Sequence, residues 1–274
     1  MAPVRFLTGL AAALAALALT GTAAAAYPSS MASTGDSITR GFNDCSLPYV
    51  DCLAASWSTG TSASVNSHYL RIRAANPAIT GRNHNDSVTG ADMADLLGQV
   101  QRAVAQQVEY VTVLMGANDV CASSESAMTP VATFRAQFEQ AMAALAAGLP
   151  NARVFVASIP NIYNLFAIYR SSFAAQSVWT LAGICQSMLA NAWSNFPWDV
   201  ARRDRVRQRN IDYNTQLAQV CAVYVMCRFD NNAVFNTPFT RSDVTTRDYF
   251  HPSVAGQAKL AAVTWAATFD FASG

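Results

Sequence analysis

Short apolar runs alternate with longer amphipathic segments along the chain. The runs "SSMAS" before Gly35, "EYVTVLMG" and "ARVFVASIP" predict buried strands, and another strand is predicted near "VYVMCRFD". Apolar residues recur at helical spacing in "SHYLRIRAA", "GADMADLLGQVQRAVAQQ", "VATFRAQFEQAMAALAAGLP", "RNIDYNTQLAQVCAVY" and "SVAGQAKLAAVTWAATFDF". A helix is also expected to begin at Ser37. This alternation predicts an α/β fold with a mostly parallel sheet.

The first 26 residues have the pattern of a secretory signal peptide. Arg5 supplies a positive charge, "FLTGLAAALAALALTG" is apolar, and "TAAAA" provides small residues before Tyr27. A transmembrane anchor is the alternative, but it needs about 20 apolar residues and a polar stop. We therefore expect cleavage after Ala26, export from the cell, and one domain over residues 27–274.

The charge pattern argues against a polyanionic partner. The formal net charge is +1, which gives no basic field that would attract nucleic acid. The basic cluster "ARRDRVRQR" contains Asp204 and is flanked by Asp199 and Asp212, so it predicts a solvated helix face. After residue 26 no apolar stretch is long enough to span a bilayer, so stable membrane insertion is not expected. A monomer is expected.

All six cysteines follow residue 26, which fits an oxidising compartment. Their spacing favours the pairs Cys45–Cys52 and Cys221–Cys227, and leaves Cys121 with Cys185. A zinc site is the alternative, but the chain has no Cys-x-x-Cys pair and its three histidines are scattered. We therefore expect three disulfides and no metal.

Candidate chemistry falls where the predicted strands end, which is where ligands bind in parallel sheets. Ser37 in "GDSIT" follows the first strand, and a serine needs a neighbouring base to become a nucleophile. His251 in "RDYFHPS" has Asp248 three residues before it, a spacing that lets the carboxylate orient the imidazole. Asn118 lies in "GAND" after the second strand, and Gly90 lies in "SVTGAD". Each piece alone is weak, since a serine at a helix start is usually a cap.

Taken together, these motifs resemble those of the SGNH hydrolases, a subset of the GDSL-type esterases and lipases. "GDSIT" matches the family's first block and implies that Ser37 is the nucleophile. "NDSVTGADMADLL" and "GAND" match the second and third blocks, which implies an oxyanion hole from the Ser37 and Gly90 N–H groups and the Asn118 amide. "DYFHPS" matches the fifth block and gives Asp248 and His251. The resemblance implies a three-layer α/β/α, flavodoxin-like fold and an acyl-enzyme cycle without metal or cofactor.

The resemblance covers nearly all of the chain after residue 26, with few departures. Ile38 and Thr39 stand where Leu-Ser often follows the serine, which leaves the chemistry intact. The family likeness implies that Asp36 and Asp119 support the site loops. His68 and His84 have no acid at a comparable spacing and are expected to be structural or exposed. The disulfides and the "NTQL…DYFHP" tail also resemble secreted actinobacterial members.

The resulting hypothesis is a secreted carboxylic-ester hydrolase, an esterase or lipase, whose partner is an ester or lipid substrate. Alternatives within the family are a carbohydrate deacetylase that acts on acetylated polysaccharide, a phospholipase and an acyltransferase. A non-catalytic binding module on the same fold would have lost a triad residue, and none is lost here. The apolar residues 162–198 predict irregular helices near the site, although packing in the core would explain their composition equally well. They favour acyl chains over sugars, although aromatic side chains also stack on sugar rings.

Overall fold

The computed structural model describes Met1 and residues 27–272. Apart from Met1, the predicted signal peptide lies outside the described residues. Within the described residues, no helix has the length and apolar character needed to cross a bilayer.

The centre of the molecule is a parallel sheet of five strands. In chain order these are β1 (Met31–Gly35), β2 (Asn83–Asn85), β3 (Tyr110–Leu114), β4 (Arg153–Val156) and β5 (Cys227–Phe229). Their order across the sheet is β2-β1-β3-β4-β5. Every residue of β1 and β3 is buried, as expected for inner strands covered on both faces.

Helices cover both faces of the sheet, so the predicted three-layer α/β/α fold is confirmed. The α-helices are α1 (His68–Ala75), α2 (Leu96–Ala105), α3 (Ala117–Val120), α4 (Val131–Gly148), α5 (Ile162–Tyr169), α6 (Phe173–Leu181), α7 (Gln186–Leu189), α8 (Pro197–Cys221), α9 (Ala233–Asn236) and α10 (Val254–Ala267). Short 3₁₀ helices span Leu53–Ala55, Pro77–Ile79, Met93–Asp95, Glu125–Ala127 and Arg241–Asp243. Helices α2, α4 and α8 pack side by side in one layer.

His68 connects the helices of the other layer to the sheet. Its side chain is fully buried, with Nδ1 2.9 Å from Tyr110 Oη on β3 and Nε2 2.8 Å from Thr264 Oγ1 on α10. Burial, aided by the charge of Arg71, lowers the pKa of His68 to about 3, so the ring is neutral. His84 lies on β2 and is partly exposed. Both ring nitrogens of His68 are hydrogen-bonded to buried side chains, so His68 packs as a structural core residue.

Two details of the sequence-based prediction are wrong. Residues 37–43 form successive turns instead of the expected helix. Gly41 and Asn43 have φ values of +61° and +71°, a left-handed conformation that interrupts a right-handed helix. The edge strand β2 was not predicted, because "NHN" has no β-branched or apolar residue.

Three disulfides join Cys45 to Cys52, Cys121 to Cys185 and Cys221 to Cys227, the pairs favoured by the sequence spacing. The second one links the end of α3 to the start of α7, across 64 positions of the chain. The third one connects the end of α8 to the start of β5. The segment between β4 and α8 forms the short helices α5, α6 and α7, as its apolar composition suggested.

Candidate active site

Ser37 is placed by a sharp turn at the carboxyl end of β1. Gly35 ends the strand with φ +147°, and a Cβ there would lie 2.4 Å from the Leu114 carbonyl oxygen and 2.6 Å from Thr39 Oγ1. Only glycine therefore fits between the strand and the turn. The turn leaves Ser37 largely buried, with 6% of its surface exposed, at the sheet edge where ligands of parallel sheets bind.

The structure brings Ser37, His251 and Asp248 into one hydrogen-bonded chain. His251 Nε2 lies 2.7 Å from Ser37 Oγ, and His251 Nδ1 lies 2.7 Å from Asp248 Oδ2. The other carboxylate oxygen, Oδ1, accepts hydrogen bonds from the backbone N–H groups of Phe250 and His251 at 2.9 and 3.0 Å. The carboxylate thus caps the turn that carries the histidine. This arrangement fits an Nδ1–H tautomer, in which Nε2 is free to accept the serine proton.

Two aromatic rings flank the imidazole. The ring centroids of Phe42 and Phe250 lie 4.9 and 5.0 Å from that of His251. Phe42 belongs to the turns after Ser37, and Phe250 directly precedes the histidine. Both rings therefore pack against the imidazole whose Nε2 is hydrogen-bonded to Ser37.

Opposing effects act on the Asp248 carboxyl. Burial alone would raise its pKa, but the His251 hydrogen bond and charge, together with the two backbone donors, hold the pKa below its usual value. The Asn43 amide also donates a hydrogen bond to Oδ2. Asp248 is therefore a carboxylate at neutral pH, able to stabilise a protonated imidazole.

Asn43 was not singled out by the sequence. It is 2% exposed, has φ +71°, and lies 205 positions from the aspartate it contacts. Its Oδ1 accepts from the Tyr49 N–H, and Arg247 Nη1 donates to its backbone carbonyl at 2.9 Å. No local motif marks this residue, so only the tertiary contact identifies it.

The loops that carry Asn118 and Gly90 meet at the neighbouring strand end. Asn118 lies in α3, two residues after Gly116, where φ is +118° and a Cβ would lie 2.5 Å from Ile159 Cδ1. Asn118 Nδ2 donates to the Ala91 carbonyl at 2.7 Å, next to Gly90. Gly90 is exposed, with φ +85°. The two predicted oxyanion donors therefore belong to α3 and to the Gly90 loop, which are joined by a hydrogen bond.

Asp36 and Asp119 hold the turns beside the site. Asp36 is fully buried and its Oδ1 accepts from the Ile38 N–H at 2.8 Å. Within the described chain, nothing donates to its Oδ2. Asp119 Oδ2 accepts from the Met93 N–H at 2.9 Å, which connects α3 to the loop after Gly90. Burial raises the pKa of Asp36 to about 7 and that of Asp119 to about 6.

An apolar cavity of about 60 Å³ adjoins these residues. Ile38, Ala117 and Phe250 line it, and they are the direct neighbours of Ser37, Asn118 and His251 in the chain. Leu165 and Ile168 of α5 and Phe239 complete its apolar wall. Across the described residues, no group of three or more His, Cys, Asp or Glu side chains is placed to hold a metal ion.

Comparison with known proteins identifies the family. The sequence profile of the GDSL-like lipase/acylhydrolase family matches residues 33–263, most of the chain. The chain belongs to this family. The match confirms the resemblance seen in the sequence, and a GDSL-type hydrolase acts on esters. No curated protein is significantly similar to the chain in sequence.

Solved structures of the family share the fold at low sequence identity. An extracellular lipase from Streptomyces rimosus has a TM-score of 0.51 and 18% identity, with 87% of this chain and 99% of that chain covered. A catalytic mutant of an acetylxylan esterase from Geobacillus stearothermophilus has a TM-score of 0.53 and 14% identity, over 89% and 96% of the two chains. Phospholipase A1 from Streptomyces albidoflavus has a TM-score of 0.52 and 16% identity, over 87% and 99%. At these identities the likeness concerns the fold.

Proposed function

We propose that this GDSL-type hydrolase is a secreted, monomeric carboxylic-ester hydrolase in which Ser37 is the nucleophile, His251 the base and Asp248 the orienting acid. The observation that carries the proposal is the continuous chain from Asp248 through His251 to Ser37, with 2.7 Å at both imidazole nitrogens. Serine activation requires this geometry, and a structural serine does not.

The proposed reaction has two acyl-transfer steps. As Ser37 Oγ attacks the ester carbonyl carbon, its proton passes to His251 Nε2, and the carbonyl oxygen becomes an oxyanion. The tetrahedral intermediate collapses, the alcohol leaves with the proton from His251, and an acyl-enzyme remains. Water then gives a proton to His251 and attacks the acyl carbon, which releases the carboxylic acid and restores Ser37. Asp248 stabilises the imidazolium in both steps without taking its proton.

We propose that the developing oxyanion is bound by the backbone N–H groups of Ser37 and Gly90 and by the Asn118 amide. The hydrogen bond from Asn118 to the Ala91 carbonyl supports this assignment, because it fixes the amide beside the glycine loop. One N–H of the amide is used in that bond, and the second is available for substrate. Loss of one such donor typically costs about 3 kcal/mol of transition-state stabilisation.

The lining of the cavity supports the proposal that it binds the acyl chain of the ester. Its wall from Ile38, Leu165, Ile168, Phe239 and Phe250 is apolar, which suits a hydrocarbon chain better than a sugar. Secretion is supported by the three disulfides, which persist in oxidising compartments. The structural relatives include an extracellular lipase, a phospholipase A1 and an acetylxylan esterase, so all three substrate classes belong in the test.

The test measures initial rates on p-nitrophenyl esters from acetate to palmitate, and on acetylated xylan and phosphatidylcholine. A carboxylic-ester hydrolase gives turnover on the nitrophenyl series that depends on Ser37. A deacetylase gives its highest kcat/KM on acetylated xylan, and a phospholipase on phosphatidylcholine. A binding module gives no turnover on any of them. An alcohol acceptor added to the assay diverts the acyl group only if the protein is an acyltransferase.

A further inference from the structure

Large apolar side chains are exposed mainly at one end of the molecule. Thirteen are exposed between residues 27 and 272, and two of them, Val223 and Val225, lie between α8 and β5 at the amino edge of the sheet. The other eleven belong to segments that follow a strand's carboxyl end or begin α8: Leu47, Tyr49, Val50, Leu53, Val88, Phe173, Leu181, Trp193, Phe196, Trp198 and Val200. This is the edge that also carries Ser37.

The contacts of α8 place its first turns beyond that same edge. Asn210 and Asn214 accept hydrogen bonds from the backbone N–H groups of Ile162 and Ile159, just after β4 ends. The helix runs from there toward the start of β5, so the turns before Asn210 extend past the carboxyl edge. Phe196 and Trp198, at the start of α8, lie there.

Five of these residues form what we call the apolar rim: Phe173, Leu181, Trp193, Phe196 and Trp198. Phe173, Leu181 and Trp193 line one shallow hollow on the surface. Phe196 and Trp198 stack with centroids 4.7 Å apart and are 59% and 66% exposed. Phe173 and Leu181 are 84% and 88% exposed. Side chains that are so large and so exposed gain little from the fold itself, and grouped together they mark an interaction surface.

The segment that carries the rim is almost free of charge. Among residues 162–198, Arg170 is the only charged residue. The arginines that follow at the start of α8 are already occupied: Arg202 pairs with Asp199, Arg205 pairs with Glu125, and Arg203 is buried. The surface that matches the rim is apolar and electrically neutral overall. Exposed Trp, Phe and Leu side chains are the kinds that insert at a lipid–water interface.

The rim is continuous with the candidate active site. Trp179 of α6 points inward and its Nε1 donates to the Tyr249 carbonyl at 3.0 Å, two residues before His251. Leu165 and Ile168 of the preceding helix α5 line the acyl cavity. Of these two consecutive helices, α5 thus presents apolar side chains to the cavity and α6 presents Phe173 and Leu181 to solvent.

We propose that the apolar rim docks the protein on the surface of an aggregated, net-neutral lipid ester. This inference rests on the proposed ester hydrolysis and names how the substrate is presented. Docking through the rim turns the carboxyl edge of the sheet toward the lipid, so an acyl ester reaches the cavity without crossing bulk water.

The test compares Phe173→Ser/Leu181→Ser with Val223→Ser/Val225→Ser, a matched pair of exposed apolar residues at the opposite edge. Binding to phosphatidylcholine vesicles is measured by co-sedimentation in the Ser37→Ala background, so hydrolysis does not alter the vesicles. We expect the rim variant to bind at least about tenfold more weakly, and the control variant to bind like the parent. With Ser37 retained, the parent, the rim variant and the control variant should hydrolyse soluble p-nitrophenyl butyrate at equal rates, because the rim lies outside the cavity.

The result separates this inference from the proposed function. If no protein binds the vesicles, or rim and control variants bind equally, docking through the rim is wrong, while butyrate turnover still supports ester hydrolysis. A second outcome would also contradict docking on lipid: the parent binds insoluble acetylated xylan, the rim variant does not, and neither binds the vesicles. The rim would then be a docking surface for a polysaccharide. Absence of turnover on every ester would instead contradict the proposed function.

Discussion

The buried amide of Asn43 donates a hydrogen bond to Asp248 Oδ2, the oxygen that also accepts from His251 Nδ1. The amide cannot turn away freely, because its own oxygen accepts from the Tyr49 N–H. Together with the two backbone N–H groups that bind Oδ1, Asn43 thus fixes where the carboxylate lies, and the carboxylate in turn orients the imidazole. It is a positioning residue of the proposed triad, and the Cys45–Cys52 disulfide follows directly in its loop.

Replacement of Asn43 should therefore lower turnover with little effect on binding. We expect Asn43→Ala to reduce kcat about 10- to 100-fold on a soluble ester, since small displacements of a catalytic group have effects of this size. KM should change little, because Asn43 does not line the acyl cavity. Steady-state kinetics and thermal unfolding of the variant measure both effects. A rise in KM at constant kcat would contradict the positioning role.

Ser37→Ala should remove ester hydrolysis almost completely. We expect kcat to fall by about 10⁴-fold or more, as when the nucleophile of a triad is deleted, and the melting temperature to stay close to that of the parent. A serine-directed phosphonate should label Ser37 of the native protein, as mass spectrometry of the peptides would show. Ser64→Ala is the control, because that hydroxyl is exposed and bonds to Ser62. Substantial activity without Ser37 would exclude it as nucleophile.

Asp248→Asn should be less damaging than His251→Ala. An asparagine still occupies the space between Asn43 and the imidazole. It offers one acceptor oxygen in place of two, however, and it carries no negative charge that could stabilise a protonated His251. We expect kcat to fall by about 10²- to 10⁴-fold, against a larger loss without the base. Rates measured from pH 5 to 10 compare the two variants. An unchanged rate in Asp248→Asn would reduce the proposed triad to a Ser–His pair.

The sequence predicted the parts of this structure that depend on local pattern. Strands β1, β3 and β4 are short, largely buried runs, and Ser37 and Asn118 lie just after the carboxyl ends of β1 and β3, as the pattern indicated. Strand β2 was missed because its pairing with β1 involves polar residues that no local signal selects.

Asn43 was missed for a related reason. Its function depends on a contact with a residue far away in the chain, and its left-handed backbone is set by the loop that contains it. The same loop geometry, with Gly41 also left-handed, replaced the helix expected after Ser37. Contacts of this kind are consequences of tertiary packing and leave no periodic trace in the sequence.

The buried Asp36 should make the folded state less stable as the pH rises. Its pKa is about 7 in the folded chain, against an ordinary value of 3.8. Below pH 3.8 Asp36 is protonated in both the folded and the unfolded state, so it does not destabilise the fold. Between pH 3.8 and 7 the carboxyl loses its proton in the unfolded state but keeps it in the folded state, so the free energy of unfolding falls as the pH rises. Above pH 7 the free energy of unfolding stays lower by the full amount, on the order of 4 kcal/mol.

Asp36→Asn keeps an acceptor for the Ile38 N–H and removes this titration. The free energy of unfolding of the variant minus that of the parent should be larger at pH 8 than at pH 4.5, as urea unfolding at the two pH values would measure. Asp204→Asn, on the exposed face of α8, serves as the control. Parallel pH profiles for Asp36→Asn and the parent would show that Asp36 is charged in the folded protein at both pH values.

The Cys121–Cys185 disulfide should support activity as well as stability. Cys121 ends α3 three residues after Asn118, and the bond anchors it to the segment that leads into α7. Ser187 reinforces the same junction, since its hydroxyl donates to the Val120 carbonyl at 2.6 Å and its N–H to the Ala122 carbonyl at 3.0 Å. Cys121→Ala/Cys185→Ala should lower the free energy of unfolding by roughly 4 kcal/mol in the chain-entropy description.

The same variant should also lose kcat well below its unfolding temperature, because a loosened α3 misplaces the Asn118 amide proposed to bind the oxyanion. Cys221→Ala/Cys227→Ala is the matched control: its disulfide joins α8 to the amino end of β5, away from the site. That variant should lose roughly 2.5 kcal/mol of stability and keep its kcat. Calorimetry and initial rates at a temperature where all proteins are folded distinguish the two effects. Equal kcat values in both variants and the parent would mean that the bridge stabilises the fold without positioning Asn118.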